Sequence, residues 1–127
     1  MILIDDVCKQ KNLEGPFIIK IDVEGAELKV LAGAKRTLKE TELVILEVNL
    51  YPYFINGPEF TDVIYFMNEL GYVTYDICNL NFRPIDNALA QVDMVFVKGQ
   101  GISRKCNRFK THKQRANEFL KSARPDQ

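Results

Sequence analysis

The chain has 127 residues, 46% of them apolar, with 17 basic and 17 acidic side chains and hence no net charge. That length suits about one domain, able to bury roughly two thirds of its unfolded surface. No apolar run reaches the roughly 18 residues of a membrane span, and no basic n-region follows Met1 to mark an export leader. Cys8, Cys78 and Cys106 are odd in number and in no CxxC spacing, which suggests neither a disulfide framework nor a zinc site and makes a reducing, cytoplasmic setting the expectation. Charge is uneven along the chain: residues 98–127 hold nine Lys or Arg against Glu118 and Asp126, a surplus of +7, which leaves −7 on everything before them.

In chain order, the first clear element is "GPFIIKIDV" (15–23), a Gly-Pro breaker and then an apolar, β-branched run. It predicts a buried strand over 17–23. "AELKVLAGAKRTLKE" (26–40) places Leu28, Leu31, Ala34 and Leu38 on one face at helical spacing and predicts a single amphipathic helix. Glu27 in its first turn and cations in its last suit the helix dipole. "ELVILEVNL" (42–50) predicts a second strand, "YPYFINGP" a turn, and "EFTDVIYFMNELGY" a second helix that closes at Gly71 as its C′ residue. "YVTYDIC" and "DMVFVKG" predict two further strands. The order β-α-β-α-β-β with short links implies parallel strands joined by right-handed crossovers. The expected fold class is therefore an α/β sheet covered by helices on both faces, its last strand antiparallel.

Ligands of parallel sheets bind beyond the carboxyl ends of the strands, and "DVEG" (22–25) sits at such an end. Regular alternation would put Lys20, Asp22 and Glu24 on one side of the strand and Ile19, Ile21 and Val23 on the other. Three charges on one face of a buried strand need pairing or water, and Lys20 is the natural partner for Asp22. A plainer reading stands beside this one, in which the acids only favour a helix N-terminus at the turn. Glu47 and Asn49 close the next strand and would line the same cleft, with an edge-solvated Glu as the alternative. Tyr51, in "YPYF" (51–54), would shape an acceptor pocket or simply pack. Asp93 reads as a turn acid or a partner for Arg83. His112, the sole histidine, lies in a basic run and is assigned no catalytic role.

"FIIKIDVEGAELKVLAGA", then "ELVILEV", a helix ending in "ELGY" and the closing "QVDMVFV" resemble the FkbM-type methyltransferases, a family of S-adenosylmethionine-dependent O-methyltransferases. The likeness runs from residues 3–6 through Val97. It implies a Rossmann-like class I methyltransferase fold whose sheet has the order 3-2-1-4-5-7-6 with strand 7 antiparallel. Residues 17–23, 43–49, 73–78 and 93–98 would then be strands 4, 5, 6 and 7, a partial sheet of order 4-5-7-6 flanked by helices. The resemblance further implies methyl transfer to a hydroxyl of a small molecule or glycan, with S-adenosylmethionine as cofactor and no metal. Asp22 and Glu24 would serve as general base or as a grip on acceptor hydroxyls, with Lys20 as the cation beside them. Gly25 would permit the sharp exit from the strand and approach the cofactor, while Glu27, Glu47, Asn49 and Tyr51 would bind substrate.

One departure from that family is plain. Its cofactor loop is a glycine-bearing turn after strand 1, followed by an acid after strand 2 that binds ribose hydroxyls. The sixteen residues ahead of the first strand contain one glycine, Gly15, set before Pro16. Residues 1–98 are thus expected to be the C-terminal half of an FkbM-type domain, with 99–127 a basic tail, helical or disordered. A cut boundary, a shortened reading frame or a split enzyme all fit that expectation, and in each case this chain alone would be inactive. "FIIKIDV" would form an exposed edge unless "MILI" folds back along it, so the expected partners include a separate N-terminal half or a second copy paired through 17–23. Two other function classes stand beside the enzyme: an inactive fragment serving as an interaction module, and a weak nucleic-acid binder using the tail. The tail has no RNA-module signature and only Phe109 for stacking, which makes nucleic acid the unlikelier partner.

Overall fold

The structure, a computed structural model, describes residues 2–122. Met1 of "MILI" and Arg124 and Asp126 of the basic tail lie outside the described residues. The elements are α1 (Ile4–Gln10), β1 (Phe17–Ile21), α2 (Glu27–Ala32), α3 (Lys35–Lys39), β2 (Thr41–Asn49), α4 (Phe60–Glu69), β3 (Tyr72–Phe82), β4 (Leu89–Lys98), a 3-10 turn at Ile102–Arg104 and α5 (His112–Ser122). The four strands form one sheet of order β1-β2-β4-β3. β1 runs parallel to β2, and β4 is antiparallel to both of its neighbours, as expected for the last strand. No helix among the described residues is long and apolar enough to cross a membrane.

The register sorts the side chains into two faces. Ile21, Val44, Leu46, Val48, Met94 and Phe96 point to one side, where Leu31 of α2, Leu38 of α3 and Val63 and Met67 of α4 close a core over them. Ile18, Lys20, Leu43, Ile45, Glu47, Asp93, Val95 and Val97 share the other side. Helices were expected on both faces, but among the described residues the helical layer lies on one. The topology explains this: chain order steps from β1 to β2 to β3 in one direction across the sheet, and same-handed crossovers that step the same way lay their helices on the same side. The opposite face is sealed only near its centre, where Val95 and Val97 sit among Leu43, Ile45 and Val73 of adjacent strands. Towards the β1 edge Ile18 is 72% exposed.

The single helix expected over 26–40 is two short ones, separated at Gly33 and Ala34. Leu3 of the N-terminal segment packs where a Gly33 side chain would stand, since a Cβ there would come within 2.8 Å of Leu3 Cδ2. The carboxylate of Asp5 in α1 then accepts hydrogen bonds from the backbone N–H groups of Arg36 at 2.9 Å and Thr37 at 2.8 Å, and from the Thr37 hydroxyl at 2.7 Å. It thereby satisfies N–H groups that the first turn of α3 leaves without an intrahelical partner. Burial pushes the Asp5 carboxyl up, but these hydrogen bonds and the Arg36 charge outweigh it and hold the group below the usual carboxylate value. At the far end of α3 the Tyr72 hydroxyl lies 2.7 Å from the carbonyl oxygens of both Leu38 and Thr41, which ties β3 to the start of β2. Burial, with the Glu42 charge second, pushes that phenol up to about 12.

β1 ends the sheet, and its outer side has no strand partner among the described residues. Leu3 leads into α1 against α3 and Gly33, so residues 2–4 of "MILI" do not lie along β1. The far edge, β3, carries register shifts after Thr74 and Cys78 and a left-handed Asn79, devices that blunt an edge. β1 has Lys20 and one register shift, between Phe17 and Ile18 at its start, while Ile18–Ile21 pair regularly. We therefore expect self-association: light scattering behind size-exclusion chromatography should give a mass that rises with loading, and Ile18→Glu should lower it. A monomer at every concentration would mean that the edge is covered.

Candidate functional site

β1 leaves the sheet at Ile21, two residues short of the predicted strand end. Glu24 at φ +43 and Gly25 at φ +93 turn the chain into α2. A left-handed Glu costs about 1–2 kcal/mol, whereas glycine adopts such angles without penalty. A Cβ on Gly25 would also sit 3.1 Å from the Phe54 side chain, a tight contact that Phe54 would have to relieve, so it is chiefly the φ that calls for glycine. Glu27, 3% exposed, folds back to accept the Gly25 N–H at 3.0 Å. It closes the turn.

The carboxyl ends of β1, β2 and β3 and the start of β4 meet around a cleft of about 560 Å³. Of the residues singled out in the sequence, Asp22, Glu24, Glu47, Asn49 and Tyr51 all line it. Lys20, Gly25 and Glu27 do not, although Lys20 and Glu27 stand close behind. Tyr51 and Tyr53 meet edge to face at 5.7 Å, as do Tyr53 and Phe54 at 4.8 Å, so the "YPYF" rings form a connected aromatic wall.

Three expectations are corrected here. Lys20 does not pair with Asp22: its ammonium lies 3.8 Å from Asp93. Strand alternation puts Lys20 on the open face beside Glu47 and Asp93, while Asp22, beyond the end of the strand, is exposed. Asp93 does not open β4 as a turn acid. It sits inside the strand directly opposite Glu47, 6% exposed, and accepts a 2.6 Å hydrogen bond from Asn79. Nor does Arg83 pair with it; Arg83 bridges to Asp86 at 3.0 Å and lies 5.1 Å over the Tyr51 ring.

Glu47 has the most perturbed environment in the cleft. Burial pushes its carboxyl above the usual value, the charges of Asp22, Asp93 and Glu27 push it further, and Lys20 opposes them. Gln91 was missed in the sequence; its side-chain N–H groups reach Glu47 Oε1 at 2.8 Å and Asn49 Oδ1 at 3.2 Å. The signal lay in "LAQVDMVFV", where Gln91 and Asp93 alternate with apolar residues and so share a face with Glu47 and Asn49. Asn81 and Arg83, which also line the cleft, come from a segment that carries no such pattern. Among the described residues no three His, Cys, Asp or Glu side chains are arranged to hold a metal ion.

The sequence profile of the Methyltransferase FkbM domain matches residues 1–74, more than half of the chain. The chain belongs to the FkbM methyltransferase family. Over 44 residues it is 43% identical to the 2-O-methyltransferase NoeI of Sinorhizobium fredii (strain NBRC 101917 / NGR234), a stretch that makes up 35% of this chain and 18% of that relative. No solved structure matches the chain.

Among the described residues ahead of β1 no open glycine turn is formed. Gly15 is packed on Glu40, where a Cβ would come within 2.7 Å of Glu40 Cβ, and its N–H is taken by Glu40 Oε2 at 3.1 Å. The Asp5 carboxylate is committed to Arg36 and Thr37. Among the described residues the polar cleft is therefore not accompanied by an open glycine turn ahead of β1.

Proposed function

We propose that these residues form the acceptor side of an S-adenosylmethionine-dependent O-methyltransferase that acts on a hydroxyl of a small molecule or glycan. The reading rests on one observation: in a chain of the FkbM family, the cleft beyond the strand ends gathers Asp22, Glu24 and Glu47 with the amides of Asn49 and Gln91 and the ring of Tyr51. Planar carboxylates and amides are suited to binding hydroxyls, and an aromatic wall to packing the apolar face of a ring. In this proposal Asp22 and Glu24, both exposed, hold acceptor hydroxyls. Fixing an acceptor in a reactive geometry can lower a barrier by about 7–11 kcal/mol. The strands would be numbers 4, 5, 7 and 6 of the family sheet. The thiols of Cys8, Cys78 and Cys106 are free, which fits a cytoplasmic setting. A second reading, an interaction module without catalysis, draws on the open β1 edge.

The test belongs in a complete enzyme, these residues together with a whole cofactor site. Asp22→Asn, nearly isosteric, should leave circular dichroism unchanged and lower kcat/KM by about ten- to a hundredfold, the value of a hydrogen bond to a charged group. Full turnover in Asp22→Asn and in Glu24→Gln would reduce both acids to parts of a turn.

A further inference from the structure

We infer that Glu47 is the proton acceptor of this cleft, held in place by Gln91 and set in its electrostatic environment by Asp93. The inference rests on the methyltransferase reading and goes beyond it by separating the roles of the carboxylates. Glu47 and Asp93 are direct partners in the β2–β4 ladder. Like charges opposite one another destabilise a sheet, so the pair is a cost that packing alone does not explain. The two acids are also treated differently. Asp93 has a cation and an amide donor, Lys20 at 3.8 Å and Asn79 at 2.6 Å. Glu47 has no cation within salt-bridge distance among the described residues; it has one amide, Gln91 at 2.8 Å, and it opens on the cleft. Paired carboxyl groups whose surroundings drive them apart mark an acid–base assignment.

The direction of the Glu47 shift agrees with that geometry. Burial and three carboxylates raise it, towards the working range in which a general base is most effective. The charged and titratable groups facing it are Lys20, Asp22 and Glu24 from β1 and its exit, Glu27 from α2 and Asp93 from β4, with Tyr51, Tyr53 and Arg83 in the cleft wall. Gln91 occupies Oε1, which leaves Oε2 for the proton. In the step assigned here the acceptor's O–H bond breaks, its electron pair stays on the acceptor oxygen, and the proton forms a new O–H bond on Glu47.

Two measurements test this, and the first needs no methyl transfer. Carbon-detected NMR of the glutamate carboxyls in the 127-residue chain should show one resonance, absent in Glu47→Gln, that titrates above the others. Asp93→Asn should move it down and Lys20→Met should move it up. A Glu47 that titrates with the exposed glutamates, or ignores Asp93→Asn, overturns the assignment. The second measurement is the pH profile of kcat/KM in a complete enzyme. Glu47→Gln should lose about a hundredfold to ten-thousandfold in rate together with the acid limb, while Asp93→Asn should retain an acid limb shifted to lower pH. Transfer that survives Glu47→Gln with its acid limb intact overturns the assignment and leaves the methyltransferase reading standing. Absence of transfer from the unsubstituted enzyme, with a raised Glu47, overturns both.

Discussion

Truncating Phe96 to alanine is expected to remove about 3–5 kcal/mol of stability, the usual cost of deleting a buried aromatic ring. Phe96 is 1% exposed in the middle of β4, opposite Val44 on one side and Thr74 on the other, and it belongs to the one cluster that joins α2, α3 and α4 to the sheet. Because the helical layer covers a single face, no second core can compensate. Domains are stable by only about 5–15 kcal/mol, so the variant should lose about a fifth of its margin or more. Urea unfolding should show a lower midpoint with an unchanged slope. Ile18→Ala, on the exposed part of the other face, should stay within about 0.5 kcal/mol. An Ile18→Ala cost as large as that of Phe96→Ala would mean that the open face is buried after all.

Much of this fold is legible in the sequence where burial is strong. β2 reads directly from "ELVILEVNL" because a strand between two neighbours is apolar on both faces. α4 ends as expected, with Gly71 at φ +82 after Leu70. Edges and long-range wedges are less legible. β3 continues to Phe82, four residues past "YVTYDIC", because an edge strand with exposed Asn79, Leu80 and Asn81 shows no alternation to detect. Nothing local in "AELKVLAGAKRTLKE" shows that Leu3 and Asp5, about thirty residues away in sequence, will split it into two helices. Within the tail, for which the sequence allows helix or disorder, residues His112–Ser122 form α5, and none of them is buried.

The site divides in the same way. Asp22, Glu24, Glu47, Asn49 and Tyr51 were legible because strand ends of a parallel sheet converge. The partner of Lys20 was not, since it depends on β4 lying next to β2, a neighbour supplied from more than seventy residues away. Asp93 looked like a turn acid because polar residues at strand starts usually are; β4 in fact begins four residues earlier, at Leu89. A charge inside "QVDMVFV" was the stronger clue. Only the register shows that it faces Glu47 rather than Arg83.

In the proposed reading these residues supply the acceptor side of an FkbM methyltransferase, while among the described residues no open glycine turn is placed to cradle its cofactor. The cradle needs a glycine whose backbone a ligand can approach and an acid free to meet ribose hydroxyls. Gly15 is closed off by Glu40, and Asp5 is spent on α3. Calorimetric titration of S-adenosylmethionine into the 127-residue chain tests this most directly. The expected result is no saturable heat up to about 1 mM, where binding would amount to only about 4 kcal/mol. Saturable, stoichiometric binding in the micromolar range would contradict the account and place a cofactor site within these residues.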